Sequence, residues 1–387
     1  MGRRGHNEGT IYKRKDGRWC AQVSLGIVNG KKKRKSVYGK TRKEVSDRMR
    51  AIQADLQNGV EPTDERRTVA QALDTWLEEF SKPTIRPRTY EGYHCIIEKH
   101  LKPALGVYRL SKLAPENVQA MLNEKADHLS ARRVARIHAV LRIMLNKAIR
   151  LGWVNRNVAT LVSLPKCEEY EPVVLGPSEA KDFIRAAKGH RLEAFFVVAL
   201  ALGLRRGEAL GIKWEDIDFE EKTLTIRRTL QRVDGKLQIL PTKTVRSRRR
   251  IRLPSELISV LRVHKARQSE AQLKAGPDWK ESKLVFTARG GGPLEPRTAN
   301  KSFHQILSRL HKIDDSAGQK RRFEGLTLHG LRHSCATILI AQGVPVPVVS
   351  EILGHARIST TLDVYSHALP QMRDEAASEM DSVLFGK

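Results

Sequence analysis

Two polar stretches, each with a proline and charges of both signs, interrupt the chain: residues 60–66 (Val-Glu-Pro-Thr-Asp-Glu-Arg) and Pro165–Glu171. Neither can run through an apolar core, so 387 residues are expected to fold as several bodies rather than one. The breaks imply a small module over residues 1–58, a middle one over 67–165 and a larger one over 173–387.

The periodicity differs among the three. Thr10–Arg14, Trp19–Leu25 and Lys33–Tyr38 read as short strands, with Asp16-Gly17 and Asn29-Gly30 as turns between them. Thr41-Arg42-Lys43-Glu44 is a capping box that opens a helix to about Asn58, where Gly59 can end it. The middle module is helical: Thr68–Leu77, a segment from Pro87 to near His100, Pro115–Ala126 and Ala131–Arg150. In the last module Lys181–Lys188 and Leu192–Gly203 read as helices. The second is apolar nearly all round and is therefore expected to be buried. Leu224–Arg228, Leu237–Leu240 and Arg249–Leu253 read as strands of an antiparallel sheet, and helices recur to the end. The fold class expected is multidomain α+β, with a three-stranded sheet plus helix, a helical middle, and a mainly α final module holding a small antiparallel sheet.

Charge narrows the partner. Lys and Arg outnumber Asp and Glu by 70 to 43, a net +27, which favours a polyanion such as nucleic acid, or else an anionic membrane surface. Residues 1–50 hold 16 Lys/Arg against 4 acids. No apolar run reaches the ~18 residues of a membrane span, and no hydrophobic segment follows the basic start as a secretory signal would need. Cys20, Cys95, Cys167 and Cys335 are scattered without metal spacing, so free thiols in a reducing cytosol are expected.

Near the C-terminus stands an ordered polar set: Leu202-Gly203-Leu204-Arg205-Arg206-Gly207-Glu208, then His329-Gly330-Leu331-Arg332-His333, then Leu353-Gly354-His355, then Tyr365. A phosphodiester under attack gains charge on its non-bridging oxygens, and arginine meets that charge with a planar fork of donors that stays protonated. Tyrosine can be the nucleophile of a covalent phosphoenzyme. Histidine can move the proton that a phenol of pKa about 10 must lose.

With this order of motifs, and the segment Thr360-Thr361-Leu362-Asp363-Val364-Tyr365-Ser366-His367, the chain resembles the tyrosine recombinases of the phage-integrase family over nearly its whole length. The resemblance implies that Tyr365 attacks a DNA phosphate to give a 3′-phosphotyrosyl bond. Arg205, Arg332 and His355 would bind that phosphate, His329 would assist proton transfer, and Glu208 would support the arginines. Lys243, in Pro241–Arg250 between two strands, matches the family's lysine that protonates the departing 5′ oxygen. It implies an arm-type DNA-binding domain over 1–58, a core-binding domain over 67–165 and a catalytic domain over 173–387. Lys31, Lys32, Lys33, Arg34 and Lys35 would contact DNA in the first, and Arg132, Arg133 and Arg136 in the second. The implied partners are double-stranded attachment sites, a homotetramer on synapsed DNA passing through a Holliday junction, an excisionase and a host DNA-bending protein. No cofactor, no metal and no membrane are implied, and the place of action is the bacterial chromosome in the cytoplasm.

Plainer readings stand beside several of these. Lys31–Lys35 can be a solvated hairpin, Glu208 a first-turn acid satisfied by the helix dipole, Lys243 a turn lysine, His355 a cap and Tyr365 a buried aromatic. His333, four residues after His329, raises a zinc helix, but Gly330 stands where such a helix needs Glu. At the level of function a type IB topoisomerase, a transposase of a conjugative element and a DNA-binding protein without activity are the alternatives.

Overall fold

The computed structural model describes residues 10–28, 31–57, 66–168, 171–242, 248–318 and 320–355, with isolated positions after 380. Lys243 and Tyr365 lie outside the described residues, as do the side chains of Lys31, Lys32 and Lys33. The chain forms two compact units, 1–168 and 169–387.

In the first unit, β1 (Thr10–Lys13), β2 (Trp19–Val28) and β3 (Lys31–Gly39) form an antiparallel sheet in that order. The register sets Tyr12 against Cys20 and Cys20 against Tyr38, leaving Ile11, Ala21 and Val37 on the other face. Helix α1 (Arg42–Gln57) packs on β2 and β3. Its start follows from the cap: Thr41 Oγ1 accepts the Glu44 amide at 3.2 Å, and the Glu44 carboxylate accepts the Lys40 amide at 3.0 Å. Arg34 is exposed and Lys35 partly so.

Among the described residues, four helical rods follow in this unit. Helix α2 (Val69–Thr75) runs on through a wide turn at Trp76–Ser81. Helix α3 (Pro87–Ile96) runs through a second wide turn at Ile97–Leu101 into α4 (Lys102–Leu105). The sequence placed the end of that rod near His100, before Pro103. The rod continues because Pro103 falls in the first turn of α4, where a missing amide leaves no hydrogen bond unmade. Helices α5 (Pro115–Ala126) and α6 (Ala131–Arg150) follow. On α6, Val134, Ile137, Leu141, Met144, Leu145 and Ala148 recur every three or four residues and are buried. Burying a side chain of leucine size is worth about 1.5–3 kcal/mol relative to exposure, so this stripe fixes the helix against Leu73, Leu77, Ile97 and Leu101. Arg132, Arg133, Arg136, Arg142 and Arg150 are left exposed on the other side.

The second unit opens with α7 (Pro177–Ala187), which starts four residues before the sequence estimate because Glu179 caps the Gly176 amide at 2.7 Å. Helix α8 (Glu193–Ala201) is buried from Ala194 to Leu200, as its composition required. It sits among Phe183, Phe286 and Phe303. Helix α9 (Arg206–Leu210) follows. The strands then depart from expectation. β4 (Ile217–Asp218), β5 (Thr223–Ile226) and β8 (Arg249–Arg252) form one sheet, while β6 (Arg228–Val233) and β7 (Lys236–Pro241) form a separate hairpin. Leu237–Leu240 therefore pairs with a strand the sequence reading missed, across the tight turn at Asp234-Gly235, where both residues take positive φ. The segment holding Lys243 links strands of two different sheets. Helices α10 (Ser255–Ala275), α11 (Pro296–Ser316), α12 (Gly330–Ala341) and α13 (Val346–Leu353) complete the unit. Gly354 closes α13 in the left-handed conformation, at φ 66°. All four cysteines are free thiols.

Candidate active site

The site lies where the turn after α8, the starts of α9 and α12, strand β8 and the end of α13 meet. Gly203, at φ 57°, turns the chain out of the buried helix and delivers Arg205 to the first position before α9. From there Arg205 Nη1 donates to Glu208 Oε1 at 2.7 Å and Nη2 donates to the Gly354 carbonyl at 3.3 Å. Its neighbour Arg206 points away, to Asn300 Oδ1 at 2.9 Å. Arg205 keeps 41% of its side chain open to solvent, whereas Glu208 keeps 5%.

Arg332 reaches the same turn from the first turn of α12. It is 2% exposed, and its Nη1 donates to the Gly203 carbonyl at 2.7 Å. The turn at Gly203 thus carries Arg205 and binds Arg332, which is 127 residues further along the chain. His329 is the residue that caps α12, and its ring meets that of His333 edge to face at 4.9 Å. His355 follows the Gly354 stop and is half-buried.

The cations set the protonation of the imidazoles. Desolvation lowers His355 to about 4, helped by Arg332 and Arg205. Desolvation also lowers His333 to about 4, with His329 and Arg332 adding to it. His329 is lowered by desolvation and then by Arg332, Arg205 and Arg206. At neutral pH the rings of His333 and His355 are therefore neutral, each with one donor and one acceptor nitrogen. Burial alone would raise Glu208, but Arg249 and Arg205 hold its carboxylate below the usual range.

Arg249 is the residue that sequence reasoning passed over. Its Nη2 donates to Glu208 Oε2 at 3.1 Å, and its Nε donates to the Ile352 carbonyl at 2.6 Å. The signal was present: along β8 Arg249 shares the inward phase with Ile251, and an inward arginine on a half-buried strand requires a carboxylate. Such a site can hold an oxyanion between Arg205 and Arg332 with neutral imidazoles beside it, which is the electrostatic demand of phosphoryl transfer. Lys243 and Tyr365 lie outside the described residues. Arg34, Lys35, Arg132, Arg133 and Arg136 belong to the first unit. Among the described residues no group of three or more His, Cys, Asp or Glu is arranged to hold a metal ion.

The model of the phage integrase family matches residues 174–372, and that of the phage integrase N-terminal SAM-like domain matches residues 68–126. A tyrosine recombinase XerC-like protein of Caldanaerobacter subterraneus subsp. tengcongensis is 32% identical over 95% of this chain and 97% of its own length. Among solved structures, the Tn1549 transposon integrase in complex with a circular intermediate DNA matches with a TM-score of 0.67 at 19% identity, over 80% of this chain and 99% of that one. A lambda integrase tetramer bound to a Holliday junction matches with a TM-score of 0.55 at 19% identity, over 90% of this chain and 95% of that one. At such identities the structures show a shared fold. The family model over half of the chain, and the relative matched along nearly all of it, make this protein a member of the phage integrase family of tyrosine recombinases.

Proposed function

We propose that this site-specific recombinase cuts and rejoins DNA through Tyr365, integrating and excising a phage or other mobile element. The phenol oxygen of Tyr365 forms a bond to the scissile phosphorus and the bond to the 5′ oxygen breaks. The phenol proton goes to His329, whose pKa, lowered by desolvation and the nearby arginines, favours the ring form that can accept it. Lys243 gives a proton to the departing oxygen. Arg205 and Arg332 bind the non-bridging oxygens, His355 donates one hydrogen bond to them, and Glu208 holds Arg205 in place. One phosphodiester replaces another, so the 5′-hydroxyl of a partner strand can reverse the step without ATP. The observation that supports this reading is the holding of Arg332 by the Gly203 carbonyl and of Arg205 by Glu208 and the Gly354 carbonyl, with the pKa values of His329 and His355 lowered by both arginines.

Exchange between two duplexes needs four such sites, so a tetramer on synapsed DNA with a Holliday-junction intermediate belongs to the proposal. Residues 1–58 are assigned to arm-type sites, through Arg34, Lys35 and the lysines before them. Residues 67–165 are assigned to the core site, through the exposed Arg132, Arg133 and Arg136. The catalytic part is assigned to 173–387. An excisionase and a host DNA-bending protein are the proposed accessory partners, and the work takes place on bacterial chromosomal DNA. No helix of the described residues is long and apolar enough to cross a membrane.

The test is a recombination assay. The junctions of the element are sequenced, the shared repeat is placed on two plasmids, and purified protein is added with host extract and excess EDTA. Recombinant product joined at the repeat is expected. Activity lost in chelator and restored by one divalent ion, or no exchange at any junction repeat, contradicts the reading.

A further inference from the structure

We infer that Arg249 is a positioning residue that keeps the phosphate-binding cluster cationic and holds the end of α13, with its histidine, against Arg205. This rests on the phosphotyrosyl reading above. The two carboxylate oxygens of Glu208 take different guanidiniums: Oε1 accepts from Arg205 at 2.7 Å and Oε2 from Arg249 at 3.1 Å, while the Arg205 backbone amide also donates to Oε2 at 3.2 Å. One carboxylate between two guanidiniums leaves a net single positive charge. Without Arg249 the pair left behind would be neutral, and the charge of Arg205 would be spent on Glu208 instead of on a bound phosphate.

The second half of the role is mechanical. Arg249 Nε donates to the Ile352 carbonyl at 2.6 Å, one of the α13 carbonyls that has no amide partner within the helix. Just beyond it, a Cβ on Gly354 would lie 2.7 Å from Arg249 Nη1, so the guanidinium passes directly under the turn that leads into His355. Arg205 grips the same turn through the Gly354 carbonyl. Strand β8 fixes the base of the side chain by pairing Arg249 with Ile226. Both Arg249 and Glu208 side chains are only 5% exposed, so the charge balance is set inside the protein and water screens it little. In this role the effect of Arg249 on the chemistry passes through Glu208, Arg205 and the turn that leads into His355.

The experiment follows covalent adduct formation by the full-length protein on a nicked duplex that carries the element's junction repeat. Arg249→Met is expected to bind the duplex within about two-fold of wild type and to form adduct about 10- to 100-fold more slowly. Adding Glu208→Gln removes the charge that now offsets Arg205, so R249M/E208Q is expected to regain a large part of that loss. A cation that merely fills the core predicts no such rescue of rate. If R249M does not fold, the double variant, which buries no unpaired charge, is compared with wild type directly. Adduct within about ten-fold then supports the inference, and a loss beyond about 100-fold overturns it. R249M at the wild-type rate, or a folded double variant no faster than folded R249M, also overturns it. A wild-type protein that forms no adduct sinks the phosphotyrosyl reading and this inference together, whereas normal wild-type adduct with an unaffected R249M sinks the inference alone.

Discussion

Replacing Gly203 by alanine perturbs the point at which fold and chemistry meet. Gly203 sits at φ 57°, a conformation that costs a side-chain-bearing residue about 1–2 kcal/mol. A Cβ there would collide with Leu353 Cδ2 on α13 and stand 3.2 Å from Cys335 Sγ on α12. Leu353 is fully buried and Cys335 is 4% exposed, so neither can step aside freely, and overpacking of this kind costs about 1–3 kcal/mol more. Alanine restricts the unfolded chain and returns only about 0.4–1 kcal/mol. The net loss is therefore about 1–4.6 kcal/mol, or roughly 2–18 °C in Tm for a unit of this size. Function should suffer beyond stability, because the Gly203 carbonyl holds Arg332 Nη1 at 2.7 Å. A shift of about 1 Å in a positioned group can cost ~100-fold in rate, so adduct formation should drop well below wild type at a temperature where the variant is still folded. Differential scanning calorimetry and single-turnover adduct formation measure the two effects. A Tm within a degree of wild type, together with a normal rate, would refute the claim that this turn is packed and that its carbonyl positions Arg332.

Other outcomes follow from the same geometry. Arg332→Lys keeps the charge but not the planar fork, so cleavage should fall on the order of 10² or more while core-site binding, read by gel shift, changes little. His333 and His355 are lowered to about 4 from an ordinary value near 6.5, so the unfolded chain binds more protons in that window. Stability should then fall as pH drops from about 6.5 to about 4, and a variant with both residues changed to Asn should lose much of that slope in Tm-against-pH scans. Deleting residues 1–58 should abolish arm-site binding and weaken integration while a core duplex is still cleaved. The slope of log affinity against log salt should become shallower; an unchanged affinity and slope at every site would make the basic segment a solvated tail.

Much of this architecture can be read from the residues because the signals are local. The capping box at Thr41, the three-to-four spacing along α6 and the apolar composition of α8 each specify their element without reference to distant chain. The ordered motifs around Arg205, His329, Arg332 and His355 were legible in the same way, and the structure brings these four side chains together. What escaped depends on pairing across distance. Alternation shows that Leu237–Leu240 is a strand but not which strand accepts its hydrogen bonds, so one expected sheet became two. Arg249 lay hidden in a run of arginines, where composition suggests solvent and DNA. Only its phase with Ile251 and the nearness of Glu208, 41 residues away in sequence, turn it inward. The rod through Pro103 continues because a wide turn shifts the proline into a first-turn position, and the sequence pattern alone carries no mark of that shift.

The central claim is that Tyr365 becomes covalently joined to DNA. The most direct measurement incubates wild type and Tyr365→Phe with a nicked duplex bearing the junction repeat, denatures the products in detergent, and identifies the modified peptide by mass spectrometry. Wild type should give a protein–DNA adduct with the nucleotide on the Tyr365 phenol oxygen. Tyr365→Phe keeps the ring but not the oxygen, and should bind the duplex normally while giving no adduct. Adduct from the phenylalanine variant at wild-type yield, or a wild-type adduct mapped to another residue, would contradict the account.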